Sequence, residues 1–234
     1  LLHILYYIKR FFSTTSFFLC FKRFFKSSRT YSLGDSKTLV FPLHVLPESS
    51  TLSLSNHFFE LDLIRLISIS LPSNWRLLIK ENISMIGHRS FGFYNTLLSI
   101  PNVSLLDPFE SSEYTLTSND AFIGISGTML IESLLHNKIS FAFGEPEFIE
   151  LYKELDLPYG LDNFNSFLAR LVDDSFNQSN LQQLALDSTY LNTVITHGIK
   201  IDRHSKSFVM YGLDFDSVES NIQAIVDYCI EYFI

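Results

Sequence analysis

Cysteine is scarce in this chain: Cys20 and Cys229 are the only two in 234 residues, far apart and without metal-ligand spacing. That excludes a disulfide framework and points to a reducing compartment with free thiols. No uncharged apolar run reaches the roughly eighteen residues a membrane span needs. Residues 1–8 are too short for one, and Lys9-Arg10 stops them. In a secretory signal the positive charge precedes the apolar stretch, and here it follows. A GxSxG segment is missing, which removes the serine hydrolase motif. The Gly124-x-x-Gly127 segment lacks the Lys-Ser/Thr of a P-loop. Acidic residues are absent from residues 1–34, which carry +6, whereas the rest of the chain carries −14 toward a net charge of −8. An acidic body argues against nucleic acid as a partner.

What is present is ample core material. Apolar residues make up 47% and charged residues 18%, so disorder is excluded as the general state. The chain opens on Leu1, which points to a fragment or processed product with a partner domain missing. Residues 1–31 interleave Phe and Tyr with basic residues. Phe17, Phe18, Phe21, Phe24 and Phe25 share one helical face, with Lys22, Arg23 and Lys26 elsewhere. Two readings stay open: an interfacial helix on an anionic inner-membrane surface, or a connecting helix packed on an absent domain. Ser13-Thr14-Thr15-Ser16 reads as a break between two short helices.

From Thr38 onward, short β-type runs alternate with helical patterns. Strands are expected at 38–43, 75–80, 103–106, 121–125 and 139–143. Helices are expected from about Leu61 to Leu71 and at 91–99, 110–117 and 128–136. This alternation predicts an α/β, Rossmann-like parallel sheet with flanking helices. Residues 146–234 show no clear strand and predict a helical C-terminal region, with helices near 147–154, 161–173, 178–197 and 214–233. The expected domains are therefore a basic aromatic segment (1–34), a Rossmann-like domain (35–150) and the helical region (151–234).

Ligands of open α/β sheets bind at the carboxyl ends of the strands. Three such ends carry chemistry. Ser126-Gly127-Thr128 follows the fourth strand and opens a helix, whose N-terminal N–H groups and dipole suit a phosphate. Gly127 permits close backbone approach, and Glu132, one turn after Thr128, is placed to accept hydrogen bonds from a ribose. A plain helix cap accounts for the same residues without a ligand. After the first strand come His44 and Glu48, suited to orient a sugar or move a proton. Lys80-Glu81-Asn82 ends the second. His197 and His204 flank Asp202 without a compact ligand set, so no metal site is expected.

Five segments in order resemble the bacterial capsule polysaccharide biosynthesis family. They are Phe41-Pro42-Leu43-His44-x-x-Pro47-Glu48-Ser49-Ser50-Thr51, Pro72-Ser73-Asn74-Trp75 through Lys80-Glu81, Pro101-Asn102-Val103-x-Leu105-Leu106-Asp107-Pro108, Ser126-Gly127-Thr128 through Glu132 to Asn137-Lys138, and Phe141-Ala142-Phe143-Gly144. The resemblance covers residues 38–150. It implies the carboxy-terminal, nucleotide-sugar-binding half of a GT-B glycosyltransferase, acting in the cytoplasm or peripherally at the inner membrane. The donor implied is CMP- or UDP-linked and binds as substrate, with no resident cofactor; the acceptor is a glycan or glycolipid. Carried over as catalytic are His44 and Glu48, and as donor-binding Lys80, Glu81, Ser126, Gly127, Thr128 and Glu132. Asn82 stands where the family has His, and it supplies neither a proton nor a positive charge. A non-catalytic scaffold module and a sugar-nucleotide epimerase are the alternative readings.

Overall fold

The computed structural model describes residues 2–32, 36–45, 59–145, 148–173, 181–189, 199–202 and 207–210. Leu1–Ala185 form one compact unit and Leu186–Ile234 a second. In the first unit the strands are β1 (Phe25–Lys26), β2 (Lys37–Pro42), β3 (Trp75–Lys80), β4 (Val103–Leu106), β5 (Ala121–Gly124) and β6 (Ile139–Ala142). They lie in the order β1-β4-β3-β2-β5-β6, with every pair parallel. From β2 onward this is the 3-2-1-4-5 order of a mononucleotide-binding half, whose chain direction reverses between β2 and β5. The expected Rossmann-like parallel sheet is thus observed.

The helices are α1 (Leu2–Phe21), α2 (Ser28–Ser32), α3 (Glu60–Ser70), α4 (Phe91–Ser99), α5 (Ser112–Ser118), α6 (Thr128–Leu135), α7 (Ile149–Glu154), α8 (Phe164–Val172) and α9 (Leu181–Asp187). Strands β2, β3, β5 and β6 are buried on both faces, as parallel strands covered by helices must be, whereas the short edge strand β1 is partly exposed. On one face Leu39, Phe41, Leu77, Ile79, Ile123 and Phe141 join a core with Ile64 and Ile67 of α3, Tyr94 and Leu97 of α4, and Phe167 of α8. The alternate residues face the other way. There Ser140 is hydrogen-bonded to Tyr152 of α7, and Leu130 of α6 reaches within 3.7 Å of where a Cβ on Gly124 would lie.

Expectations at both chain ends are corrected, the first at the N-terminal helix. No break occurs at Ser13–Ser16: α1 runs straight through. Thr15 Oγ1 donates back to Phe11 O at 2.8 Å, a bond that lets a hydroxyl stay inside a helix. Ser13 Oγ donates to Gly87 O at 2.6 Å, and Thr14 Oγ1 reaches Ile86 O at 3.5 Å, so these hydroxyls tie the helix down. The aromatic face expected against a membrane or an absent domain packs instead on this domain. Phe17 and Phe21 are buried against Tyr94, with ring centroids 4.6 and 5.1 Å from it. Phe18, Phe24 and Phe25 pack partly buried around them.

The second correction concerns residues 146–234, where no strand was expected. Within the second unit, β7 (Ile199–Asp202) and β8 (Ser207–Met210) pair antiparallel. Each is only four residues long, Ile199-Lys200-Ile201-Asp202 and Ser207-Phe208-Val209-Met210, too short for periodicity to separate from loop. The expected helix at 214–233 lies outside the described residues.

Candidate functional site

The site is built where β2 and β5 end. Leu43 N–H bonds to Lys80 O at 2.8 Å, extending the β2–β3 ladder by one residue. His44 then turns across the switch point toward Ser126, which follows β5. Ser126 N–H donates to His44 Nε2 at 3.2 Å, and the same nitrogen closely approaches Ser126 O. On the far side of the ring, Nδ1 stands 3.5 Å from Glu60 Oε1. Both contacts of Nε2 are compatible with a proton on Nδ1 facing Glu60. The neutral ring accepts from Ser126 N–H, and the imidazolium donates to Ser126 O.

Immediately beyond, Gly127 has φ +121°, a region open to glycine and strained for other residues. It precedes α6 and leaves that helix without a side-chain cap. The N-terminal N–H groups of α6 therefore face outward unclaimed by any cap, which is the arrangement an anion exploits. Gly127 and Thr128 are exposed, and Glu132 is half-buried one turn further along. Ser126 is buried, and its Oγ has no hydrogen-bond partner among the described residues.

Beside this helix start lies a crevice of about 220 Å³. Met129 of α6 forms one wall; Pro42, Leu43, Ile83 and Pro108 add apolar surface. Its polar lining comes from Lys80, Glu81, Asn82, Glu110 and Ser112. Lys80 Nζ donates to Glu110 O at 2.8 Å and approaches Asp107 O at 3.4 Å. Burial pushes its ammonium below the ordinary lysine range, against the pull of Glu110 and Asp107. The loop that holds it is itself fixed: the Glu110 carboxylate accepts from Ser27 Oγ at 2.6 Å, Ser28 N–H at 2.9 Å and Thr115 Oγ1 at 3.1 Å.

Glu81 borders the crevice, but its carboxylate turns inward. Oε2 accepts from Tyr94 OH at 2.5 Å and pairs with Arg89 Nε at 3.1 Å, while Oε1 accepts Asn82 N–H at 2.8 Å. Burial holds this carboxyl above the ordinary glutamate range despite Arg89, the Tyr94 hydroxyl and the Asn82 N–H. Arg89 also reaches Glu60 Oε2 through Nη1 at 2.6 Å and His44 O through Nη2 at 2.5 Å. At Glu60 burial pushes upward too, but His44 and Arg89 outweigh it and the carboxyl falls below its usual range. Asn82 is exposed, and its Oδ1 accepts from Ser84 N–H at 3.0 Å and Ser84 Oγ at 2.8 Å, capping a short 3₁₀ turn.

Of the residues expected at the site, Lys80 and Glu81 line the crevice, and Ser126, Gly127 and Thr128 lead into the helix that walls it. His44 is buried behind them as a brace, Glu132 follows on α6, and Glu48 lies outside the described residues, as do His197 and His204. Sequence reasoning missed Glu60, Arg89, Tyr94 and Glu110. None belongs to a local motif; each acts through partners distant in the chain.

No protein-family model matches this chain, and no curated protein matches it. Solved structures do. Staphylococcus aureus MnaA with UDP is 16% identical at TM-score 0.45, covering 69% of this chain and 44% of that one. The wall teichoic acid polymerase TagF is 13% identical at TM-score 0.43, with 87% and 47% covered. CalG4, the calicheamicin glycosyltransferase, is 14% identical at TM-score 0.43, with 65% and 38% covered. This chain spans less than half the length of each.

Proposed function

We propose that this chain is the nucleotide-sugar-binding half of a glycosyltransferase that builds a bacterial surface polysaccharide. The observation that carries the reading is the juxtaposition at the strand ends of a mononucleotide-type sheet. Met129, in the uncapped first turn of α6, and Lys80 both line one crevice of about 220 Å³. In this reading the donor diphosphate lies along the N–H groups of α6, with Lys80 neutralising charge from the opposite wall. Glu132 takes the ribose hydroxyls. The sugar lies toward the His44 side, where Glu48 belongs by sequence. Displacement at the anomeric carbon releases the nucleotide, and its charge is stabilised by donors already in place. The acceptor, a glycan or glycolipid, enters from a facing domain.

A second reading is favoured by one specific observation. The ring nitrogens of His44 face Ser126 and Glu60, and Asn82 Oδ1 is spent on its own cap. Lys80 is then the one proton-bearing cation lining the crevice among the described residues. That arrangement also suits a module that binds the nucleotide-sugar without turning it over.

Calorimetric titration with CMP, UDP and their sugar conjugates tests the first reading. Selective binding of one nucleotide is expected. Glu132→Ala and Thr128→Ala should each weaken it, by roughly tenfold where a charged hydrogen bond is lost. A folded chain that binds none of them, or whose binding survives both substitutions, overturns the assignment. Binding without transfer or donor hydrolysis in the full-length protein selects the second reading.

A further inference from the structure

The outward face of α1 has no use in the site just described. At 100° per residue, Leu5, Ile8, Phe12 and Leu19 fall within an arc of about 60°. All four are exposed, Leu19 at 82%, and Phe11 beside them is exposed as well. The stripe lies across the helix from Phe17 and Phe21, which are buried in the core. It is also held in place: the bonds of Ser13 and Thr14 to the carbonyls of Gly87 and Ile86 fix the helix rotation. So a fold that buries one apolar face of α1 deliberately presents a second.

We propose that this second face docks α1 in the plane of an anionic phospholipid bilayer, lying on it rather than crossing it. Among the described residues no helix is long and apolar enough to span a membrane. Charge selects the occupant. Lys9 is exposed on α1 itself and Lys22, Arg23 and Lys26 are exposed in the residues that directly follow it, and residues 1–34 contain no acid while the remainder of the chain carries −14. An anionic lipid surface satisfies both requirements together: phosphates for the lysines and arginine, and the acyl boundary for Leu5, Ile8, Phe12 and Leu19. The acidic body is repelled by the same surface, so contact is restricted to the α1 side. A second copy of the same face is disfavoured, because it would bring two acid-free +6 segments together.

Vesicle co-sedimentation of the full chain without nucleotide tests this, and it succeeds or fails separately from the nucleotide reading. At about 0.1 M salt, vesicles with about 30% phosphatidylglycerol should bind at least tenfold better than pure phosphatidylcholine, and about 0.5 M salt should weaken that binding. Lys9→Gln/Lys22→Gln/Lys26→Gln should lower the partition on the order of a hundredfold, at roughly fivefold per charge. Phe12→Ser/Leu19→Ser should lower it at least tenfold while Trp75 fluorescence reports an intact fold. Failure of the folded chain to bind either vesicle, or equal binding to both, overturns the proposal. So does a dimer in sedimentation velocity that Phe12→Ser/Leu19→Ser converts to monomer, since the stripe then serves a second copy.

Discussion

Replacing Arg89 with Met should be the most damaging change of a single polar side chain in the larger unit. Its guanidinium makes three separate contacts: Glu60 at 2.6 Å, Glu81 at 3.1 Å and the His44 carbonyl at 2.5 Å. Both carboxylates have side chains only 2% exposed, so water cannot replace the lost partner. Breaking a buried pair in this way costs about 3–5 kcal/mol, against a total stability of about 5–15 kcal/mol. The pH dependence carries a sign that packing loss alone would not. In the native chain the Glu60 carboxyl is held below its ordinary range, so its contribution is present above the unfolded value and lost as pH falls through the folded one. Glu81 is raised, so its ionised form weakens the fold, and that weakening is relieved as pH falls. The two tendencies oppose each other while Arg89 is present. Without it both carboxyls shift upward, Glu81 further above its range and Glu60 with only His44 left to hold it down, so the loss at each is relieved by acid. The loss should therefore be largest near about pH 8 and shrink toward about pH 5. Urea unfolding followed through Trp75, the single tryptophan and 4% exposed, reads this directly. Glu60→Gln/Glu81→Gln in the Arg89→Met background should recover part of the loss, because neutral amides need no counter-charge. A loss under about 1 kcal/mol near pH 8, or one as large near pH 5, would refute the reasoning.

Lys80→Met separates stability from binding. The native ammonium is disfavoured by burial at every pH below its lowered folded value, so its removal should leave the urea midpoint unchanged or raised, after about 1 kcal/mol for each lost carbonyl contact. Nucleotide affinity should fall at least tenfold by calorimetry; a stability loss beyond about 2 kcal/mol would show that Lys80 is a structural strut. Gly87→Ala should cost about 2 kcal/mol or more, because φ there is +80° and the added Cβ would lie 2.9 Å from Thr14 N. Gly92→Ala, inside α4 with only Ser90 Oγ near at 3.7 Å, should instead stabilise by roughly 0.5–1 kcal/mol, and equal effects at the two glycines would contradict the docking of α1 on the Gly87 loop.

What could be read from the sequence divides along physical lines. The strands 75–80 and 103–106 and the helix 91–99 are recognisable because each is a contiguous run whose own pattern decides its state, and they are found at those residues. The helix start at Thr128 is signalled by its small-residue turn and is found there. By contrast, the polar support beneath the site is invisible locally. Arg89 joins residues 45 positions apart from it in His44 and 29 apart in Glu60. Nothing in His88-Arg89-Ser90 distinguishes that arginine from a solvated one. Glu60 reads as an ordinary first-turn acid and is nonetheless buried. The Ser-Thr stretch in α1 misleads for a related reason: its hydroxyls look like helix breakers until the carbonyls of Ile86 and Gly87 are there to receive them.

These long-range contacts give the crevice its shape. The two loops that Arg89 spans follow β2 and β3, and the brace from His44 to Ser126 adds the loop after β5. Parallel strands leave their carboxyl-end loops side by side but do not fix them against one another. If the site holds a diphosphate as proposed, those loops need to be fixed before the ligand arrives, because ordering them on binding would be subtracted from affinity. The network of Glu60, Arg89, Glu81, Tyr94 and His44 performs that fixing from behind, and none of its charged atoms has to enter the crevice. On this argument Tyr94, whose ring also receives Phe17 and Phe21 of α1, is where the aromatic packing of the first helix meets the polar scaffold of the site. The N-terminal helix is thereby coupled to these loops through Tyr94, in addition to the bonds of Ser13 and Thr14 to Gly87 O and Ile86 O, although it contributes no residue to the crevice.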